Sequence, residues 1–158
     1  MTPPGAGGGP APPGAALPTV AAVIDVGSNS VLLLTVTVDE SGRGRAIDEA
    51  LATTRLGAGL ARGGRLDAAA RARTQEAVVA FTARARAGGV SRMWAFGTAA
   101  MREASDGSTF ARDLEAAAGV PVEVLSGESE ARLAYAAVAH GLRVEEGATL
   151  VADVGGRT

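Results

Sequence analysis

The sequence predicts an α/β domain built on a mixed β-sheet, and three observations lead to this prediction. Short apolar runs rich in Val, Ile and Leu alternate with longer segments that have helical periodicity. A Gly-Ser-Asn-Ser turn at 27–30 joins the first two runs, which is typical of a β-hairpin. The later runs are separated by helical segments, as parallel strands are. A chain of 158 residues suits one domain of ordinary size with a tail.

The first half of this domain is predicted to be mainly β-structure. The apolar run at 20–27 is read as a buried strand because it is short and rich in β-branched residues. The run at 31–38 completes the hairpin, and residues 45–54 form a third strand after a turn at 39–44. Residues 55–64 contain four glycines, which predicts a loop.

Helices and strands are predicted to alternate in the second half. A helix at 66–87 has Asp67 as its N-cap, an apolar face that includes Val78, and two glycines at its end. Helices at 98–104 and 108–118 follow a strand at 92–96, in which Trp94 is expected to be a core residue. A strand at 120–125 leads into a helix at 126–139 that starts at Ser126, with acidic residues in its first turn. A last strand is predicted at 148–154.

Composition excludes several classes of function. The chain has no Cys and one His, so thiol chemistry, Cys-zinc sites and a two-histidine metal site are excluded within it. All 15 basic residues are Arg, so a Walker-type phosphate loop with its Lys is excluded as well. The net charge of -2 argues against binding to nucleic acid or to a membrane surface. Carboxylates, arginines, hydroxyls and glycines remain, and they suit phosphate chemistry assisted by a divalent metal.

The first 19 residues are Pro, Gly and Ala-rich, which predicts a disordered tail. This segment lacks the basic start and the continuous apolar stretch of a secretory signal. No run in the chain approaches the ~18 apolar residues of a membrane span. These features predict a cytoplasmic protein.

The apolar run into Asp-aliphatic-Gly occurs twice, at 23–28 and at 151–156. Glycine allows close approach of the backbone to a phosphate, and the hydroxyls of the first turn add donors. A carboxylate at the end of each strand suits Mg²⁺ or its water ligands. A single such turn is common and usually structural. The two copies together favour a phosphate site.

Five segments, in order, resemble the exopolyphosphatase and guanosine pentaphosphate phosphatase (Ppx/GppA) family of the actin-like superfamily. The segments are DVGSNS at 25–30, RLGAGL at 55–60, GTAAMREA at 97–104, SGESEARL at 126–133 and DVGG at 153–156. The resemblance implies a ribonuclease H-like, actin-like (ASKHA) α/β fold over residues 20–147. It implies a phosphohydrolase that removes the terminal phosphate from polyphosphate or guanosine pentaphosphate, with Mg²⁺ as cofactor.

The resemblance also assigns roles to individual residues. The implied catalytic residues are Glu130 and Asp153, and the implied metal ligands are Asp25 and Asp153. The implied phosphate-binding residues are Gly27, Ser28, Asn29, Ser30, Arg55, Thr98, Arg102, Gly155 and Gly156. Each of these side chains also has a structural interpretation. Glu130 can be a first-turn residue stabilised by the helix dipole, Asp25 and Asp153 can belong to capped turns, and Thr98 can be a helix cap. Arg55 and Arg102 can be surface arginines.

The sequence departs from the family pattern at its end. Members continue the second turn as D-[IV]-G-G-G-S-T-E, whereas this sequence reads DVGGRT at 153–158. We therefore expect residues 148–158 to be the first strand and an incomplete phosphate loop of a second domain, with activity impaired by its truncation. The strand at 148–154 is expected to fray or to pair with a sheet edge. A non-catalytic fragment or phosphate-binding module is the alternative, an actin-like sugar kinase or chaperone is a weaker one, and a homodimer is one option for the oligomeric state.

Overall fold

A computed structural model describes residues 19–40, 42–60 and 64–141 of the chain. The strands are β1 (Thr19–Val26), β2 (Ser30–Val38), β3 (Gly44–Thr53), β4 (Arg92–Gly97) and β5 (Val122–Val124). The helices are α1 (Ala68–Ala87), α2 (Ala99–Glu103), α3 (Gly107–Ala118) and α4 (Gly127–Gly141). The predicted tail at 1–19, apart from its last residue, and the predicted strand at 148–154 lie outside the described residues.

The strands form one mixed sheet in the order β3-β2-β1-β4-β5. Strands β1, β2 and β3 are antiparallel neighbours, whereas β4 and β5 run parallel to β1. This arrangement confirms the predicted hairpin and the predicted mixed sheet. The carboxyl ends of β1, β4 and β5 consequently meet along one edge of the domain.

One face of the sheet carries the hydrophobic core. Helix α1 packs on β1 and β2, and helix α3 packs on α1 and β5. Ile24, Val26 and Leu33 point into this layer and are fully buried. Phe110 and Leu114 of α3 fill the space between the helices and the sheet. The core is built mainly from aliphatic side chains, and Phe110 is the aromatic residue that is fully buried in the described part of the chain.

The opposite face of the sheet is partly open. Side chains along a strand alternate between the two faces, so the neighbours of buried residues point outward. Trp94 is paired with Val23 on this face and is 44% exposed. Leu32 and Leu51 are cross-strand partners there and are 39% and 64% exposed. The expectation that Trp94 is a core residue is therefore wrong.

The predicted signals at both ends of helix α1 are confirmed. The Asp67 side chain accepts a hydrogen bond from the Ala70 N–H at 2.9 Å, which satisfies a donor at the first turn. The helix ends at Gly88, and Gly89 follows with a φ of +76°. Val78 is buried on the predicted apolar face.

A buried carboxylate joins helix α1 to the turn before α3. Asp106 is 7% exposed and accepts hydrogen bonds from the Leu66 N–H at 3.0 Å and the Arg71 Nη1 at 3.2 Å. The Arg71 guanidinium also lies over the Phe110 ring, 4.9 Å from its centroid. These partners compensate for the cost of burying the charge, and they fix the chain that enters α1.

An exposed ion pair connects the edge strand β3 to helix α1. The Arg84 guanidinium donates hydrogen bonds to the Asp48 carboxylate, with a distance of 2.7 Å from Nε to Oδ2. These hydrogen bonds, and secondarily the charge of Arg84, hold the pKa of Asp48 below its usual 3.8 against the opposing effect of burial. The same pair raises the pKa of Arg84.

The lowered pKa predicts the pH dependence of the stabilisation by this pair. A carboxylate whose pKa is lower in the folded state stabilises the fold above its unfolded pKa, and the effect disappears as the pH falls through the folded value. We expect Asp48→Asn to lower the Tm slightly at neutral pH, since exposed pairs contribute little. The difference from wild type should vanish well below pH 3.8. Thermal unfolding across this range, with Glu49→Gln as the matched control, tests the prediction; a difference that persists in acid would contradict it.

Candidate active site

The first predicted phosphate loop, residues 27–30, forms the tight turn between β1 and β2, and we call it the phosphate loop. The Gly27 N–H donates to the Ser30 carbonyl at 2.9 Å, and a Cβ on Gly27 would lie 3.1 Å from that oxygen. Glycine is therefore favoured at this position. Ser28, Asn29 and Ser30 are half-buried, and Asp25 is exposed near the carboxyl end of β1. The loop and the end of β1 thus place hydroxyl, amide and carboxylate groups on the side of the domain where the parallel strands have their carboxyl ends.

The segment 54–57, which we call the clasp, is hydrogen-bonded to this loop. The backbone N–H groups of Thr54 and Arg55 donate to the Asn29 carbonyl at 2.9 and 2.8 Å, and the Gly57 N–H donates to the Ser28 carbonyl at 2.8 Å. A Cβ on Gly57 would lie 3.1 Å from the Ser28 Cβ, so the two backbones are in close contact. The clasp thereby fixes the position of the phosphate loop.

Arg55 is the one non-glycine residue with a positive φ in the described part of the chain, at 54°. A residue with a side chain adopts this left-handed conformation at an energetic cost, and such residues are concentrated at functional sites. The Arg55 side chain is exposed, and within the described residues no hydrogen bond or ion pair engages its guanidinium. The site therefore presents this cation to solvent next to the phosphate loop.

Thr98 connects the end of β4 to the end of β1. Its N–H and its hydroxyl both donate to the Val26 carbonyl, at 3.2 and 3.4 Å. Thr98 occupies the N-cap position of α2, but its side chain makes no capping hydrogen bond. Thr98 is therefore a helix cap by position, and its carbonyl accepts from the Arg102 N–H at 3.0 Å, but its hydroxyl points back to β1 and does not cap the helix.

Arg102 and Glu130 form an ion pair at the carboxyl end of β5. The Arg102 Nη1 donates to Glu130 Oε2 at 2.9 Å and to the Leu125 carbonyl at 2.9 Å. About a third of each side chain is exposed, so the pair borders solvent. The Ser126 hydroxyl accepts from the Ser129 N–H at 3.0 Å, which confirms Ser126 as the start signal of α4. This cap and the ion pair together position Glu130 in the first turn of the helix.

The described site residues converge along the carboxyl ends of the parallel strands. Backbone hydrogen bonds link the three ends in series, from Thr98 to Val26 at 3.2 Å and from Leu125 to Gly97 at 2.9 Å. In open α/β sheets, ligands bind at such carboxyl ends, where the strand order changes direction. The remaining predicted site residues lie outside the described part of the chain: Asp153, Gly155 and Gly156.

Oxygen donors of the kind that a metal ion could use occur around the turn between β1 and β2. Across 19–40, 42–60 and 64–141, no three His, Cys, Asp or Glu side chains are grouped closely enough to hold a metal ion. Asp25 lies near the carboxyl end of β1, just before the hydroxyl and amide oxygens of the phosphate loop in the chain. Such oxygen donors are the type that Mg²⁺ takes, often with water as the other ligands. By their chemistry, these donors are groups that could contribute to holding a magnesium ion.

Arg73 is a structural contributor to the site that the sequence does not indicate. It lies on α1 and donates from Nε and Nη2 to the Thr54 carbonyl, at 3.2 and 2.9 Å. An arginine on an exposed helix face has no distinguishing pattern in sequence. Only the packing of α1 beside the clasp reveals the contact.

This chain is similar to known proteins both in its fold and in its sequence. The sheet and its helices have the actin-like α/β fold of the crystal structure of an Aquifex aeolicus Ppx/GppA family member, with a TM-score of 0.75 and 31% identity. That match covers 80% of this chain and 41% of the Aquifex chain. The sequence profile of the Ppx/GppA phosphatase family matches residues 36–157, so this chain belongs to that family.

Two further proteins are similar to this chain. Exopolyphosphatase 1 of Mycobacterium bovis is 30% identical over 134 residues, which are 85% of this chain and 39% of the relative. The crystal structure of an exopolyphosphatase from Cytophaga hutchinsonii shares the fold, with a TM-score of 0.72, 24% identity and coverage of 77% of this chain and 39% of the other. This chain therefore spans about two fifths of the length of each of these proteins.

In the described part of the chain, no helix is both long enough and apolar enough to cross a membrane.

Proposed function

We propose that this domain provides one wall of the active site of a phosphohydrolase that removes the terminal phosphate from polyphosphate or guanosine pentaphosphate. One observation carries the proposal. The phosphate loop, Arg55 and the Arg102–Glu130 pair all lie at the carboxyl ends of the parallel strands. Family membership and the exopolyphosphatase relatives support the same reaction class. The proposal includes a cytoplasmic location and no nucleic-acid partner.

The chemistry required is phosphoryl transfer to water. Hydroxyl and amide groups of the phosphate loop bind the terminal phosphate, while Arg55 and Arg102 neutralise its charge. Glu130 accepts a proton from water as the oxygen of that water bonds to phosphorus. The bond from phosphorus to the bridging oxygen breaks, and the shortened phosphate chain leaves with the electron pair.

Magnesium is the cofactor in this proposal. Asp25 and the oxygens of the phosphate loop are the described groups that would hold it, together with Asp153 outside the described residues. When bound, Mg²⁺ supplies positive charge that offsets the negative charge of the phosphates.

The alternative is a phosphate-binding module without catalysis, and one observation favours it. The Glu130 carboxylate is engaged by Arg102 at 2.9 Å, whereas a general base must be able to take a proton from water. In this alternative the ion pair is structural and holds α4 against the end of β5.

The deciding experiment measures phosphate release and ligand binding by the purified 158-residue chain. Polyphosphate and guanosine pentaphosphate are supplied separately with Mg²⁺, and a parallel reaction contains a chelator. Release that stops when the metal is removed would support the hydrolase, and the faster substrate would identify the preference. Binding without release would support the binding module. Absence of both from a folded chain would overturn both functions.

A further inference from the structure

We propose that Arg73 is a positioning residue that orders the phosphate loop through the clasp; this inference rests on the proposed phosphate site. Both hydrogen bonds from Arg73 go to one acceptor, the Thr54 carbonyl, at 3.2 Å from Nε and 2.9 Å from Nη2. The two donors converge on one oxygen from a planar guanidinium, and together they restrain the position of the carbonyl more than a single hydrogen bond would. Arg73 therefore controls the peptide unit that joins Thr54 to Arg55.

That peptide unit immediately precedes the strained residue of the site. Arg55 has a φ of 54°, a conformation that a non-glycine residue keeps only where surrounding contacts impose it. The Arg55 N–H donates to the Asn29 carbonyl at 2.8 Å, and the carbonyl of the same peptide unit accepts from Arg73. Arg73 on one side and Asn29 on the other thus determine the orientation of this unit.

The Thr54 side chain provides no alternative anchor. The residue is only 2% exposed, so its hydroxyl is buried, and this hydroxyl has no hydrogen-bond partner among the described residues. The hydrogen bonds that hold Thr54 are therefore those of its backbone, from the N–H to Asn29 at 2.9 Å and from Arg73 to the carbonyl. Loss of Arg73 would leave the carbonyl without this partner.

The consequence for ligand binding follows from the rest of the clasp. The N–H groups of Thr54, Arg55 and Gly57 hold the carbonyls of Asn29 and Ser28, which belong to the proposed phosphate loop. A loop that is already ordered loses less conformational entropy when it binds an anion. Arg73 should therefore increase anion affinity without touching the anion.

The test uses the whole 158-residue chain with two substitutions and one matched control. Arg73→Gln removes the paired donors, while Arg73→Lys keeps the charge and one possible hydrogen bond. Arg86→Gln is the control, because Arg86 lies on the same helix and also donates to a backbone carbonyl, that of Gly119 at 2.9 Å. The readouts are amide hydrogen exchange at residues 54, 55 and 57, the Kd for tripolyphosphate, and the Tm.

For Arg73→Gln we expect about tenfold faster exchange at the three clasp amides and about tenfold weaker tripolyphosphate binding. Arg73→Lys should recover part of both losses, and Arg86→Gln should leave both unchanged whatever its effect on the Tm. A purely structural role would lower the Tm alone. Unchanged exchange, or faster exchange with an unchanged Kd, would overturn the positioning role.

The two readouts separate this inference from the proposed function. If the wild-type chain fails to bind tripolyphosphate, the proposed anion site is wrong, and so is the role of Arg73 in anion binding. The exchange data would then still decide whether Arg73 orders the clasp.

Discussion

Replacing Glu130 with glutamine is expected to reduce phosphate release from polyphosphate by about 10²- to 10⁴-fold, the range associated with loss of a general acid or base. Glutamine has the same shape, and its carbonyl oxygen can accept the hydrogen bond that Arg102 now donates to Glu130 at 2.9 Å. The Ser126 cap of α4 does not involve the Glu130 side chain. The fold should therefore persist while the proton acceptor is lost.

Glu128→Gln is the matched control for this prediction. Glu128 lies in the same first turn of α4 but pairs with Arg132, at 2.7 Å, on an exposed surface. Its loss removes one negative charge from the helix start without affecting the proposed base. Phosphate release is measured for both variants at equal concentrations of folded protein. Equal losses, or an unaffected Glu130→Gln variant, would argue against Glu130 as the base.

The second large effect concerns stability, at Gly107. A methyl group on this residue would overlap the backbone carbonyl group of Met101, because Gly107 is buried at the start of α3 in direct contact with α2. A side chain could turn away from such a clash, whereas a backbone carbonyl moves only if the segment moves. We expect Gly107→Ala to lower the free energy of unfolding by about 3 kcal/mol or more, at the upper end of what overpacking costs.

Chemical unfolding monitored by circular dichroism measures this loss. Ser108→Ala is the control, since Ser108 is the next residue of α3 and is exposed. The control should change stability by no more than about 0.5 kcal/mol. Equal stability of the two variants would mean that the turn before α3 can relax around an added methyl group.

Local signals in the sequence predict much of the fold. Helix α1 was predictable because Asp67 caps one end and a glycine pair terminates the other. Strand β5 is shorter than predicted, at Val122–Val124. Pro121 lacks the N–H that a paired strand residue would donate, so it limits the strand on this side. The sequence misassigns Trp94 because alternation places it on one face of the sheet but does not reveal which face the helices cover.

The sequence likewise predicts one part of the candidate site, its local segments, but not the contacts between distant residues. The phosphate loop and the start of α4 are contiguous segments, so their residue types and spacing were readable. The ion pair between Arg102 and Glu130 joins residues 28 positions apart, and the contact between Arg73 and Thr54 joins residues 19 apart. Such pairings depend on how helices dock on the sheet. The sequence therefore indicated the individual groups but not which of them hold one another.

The open face of the sheet carries an intrinsic fluorescent probe. Trp94 is the only tryptophan in the chain, and 44% of it is exposed among the apolar side chains of that face. Indole emission moves to shorter wavelength when water is removed from the ring. Any layer that covers this face, whether another polypeptide or a detergent, will therefore shift the emission of this one tryptophan.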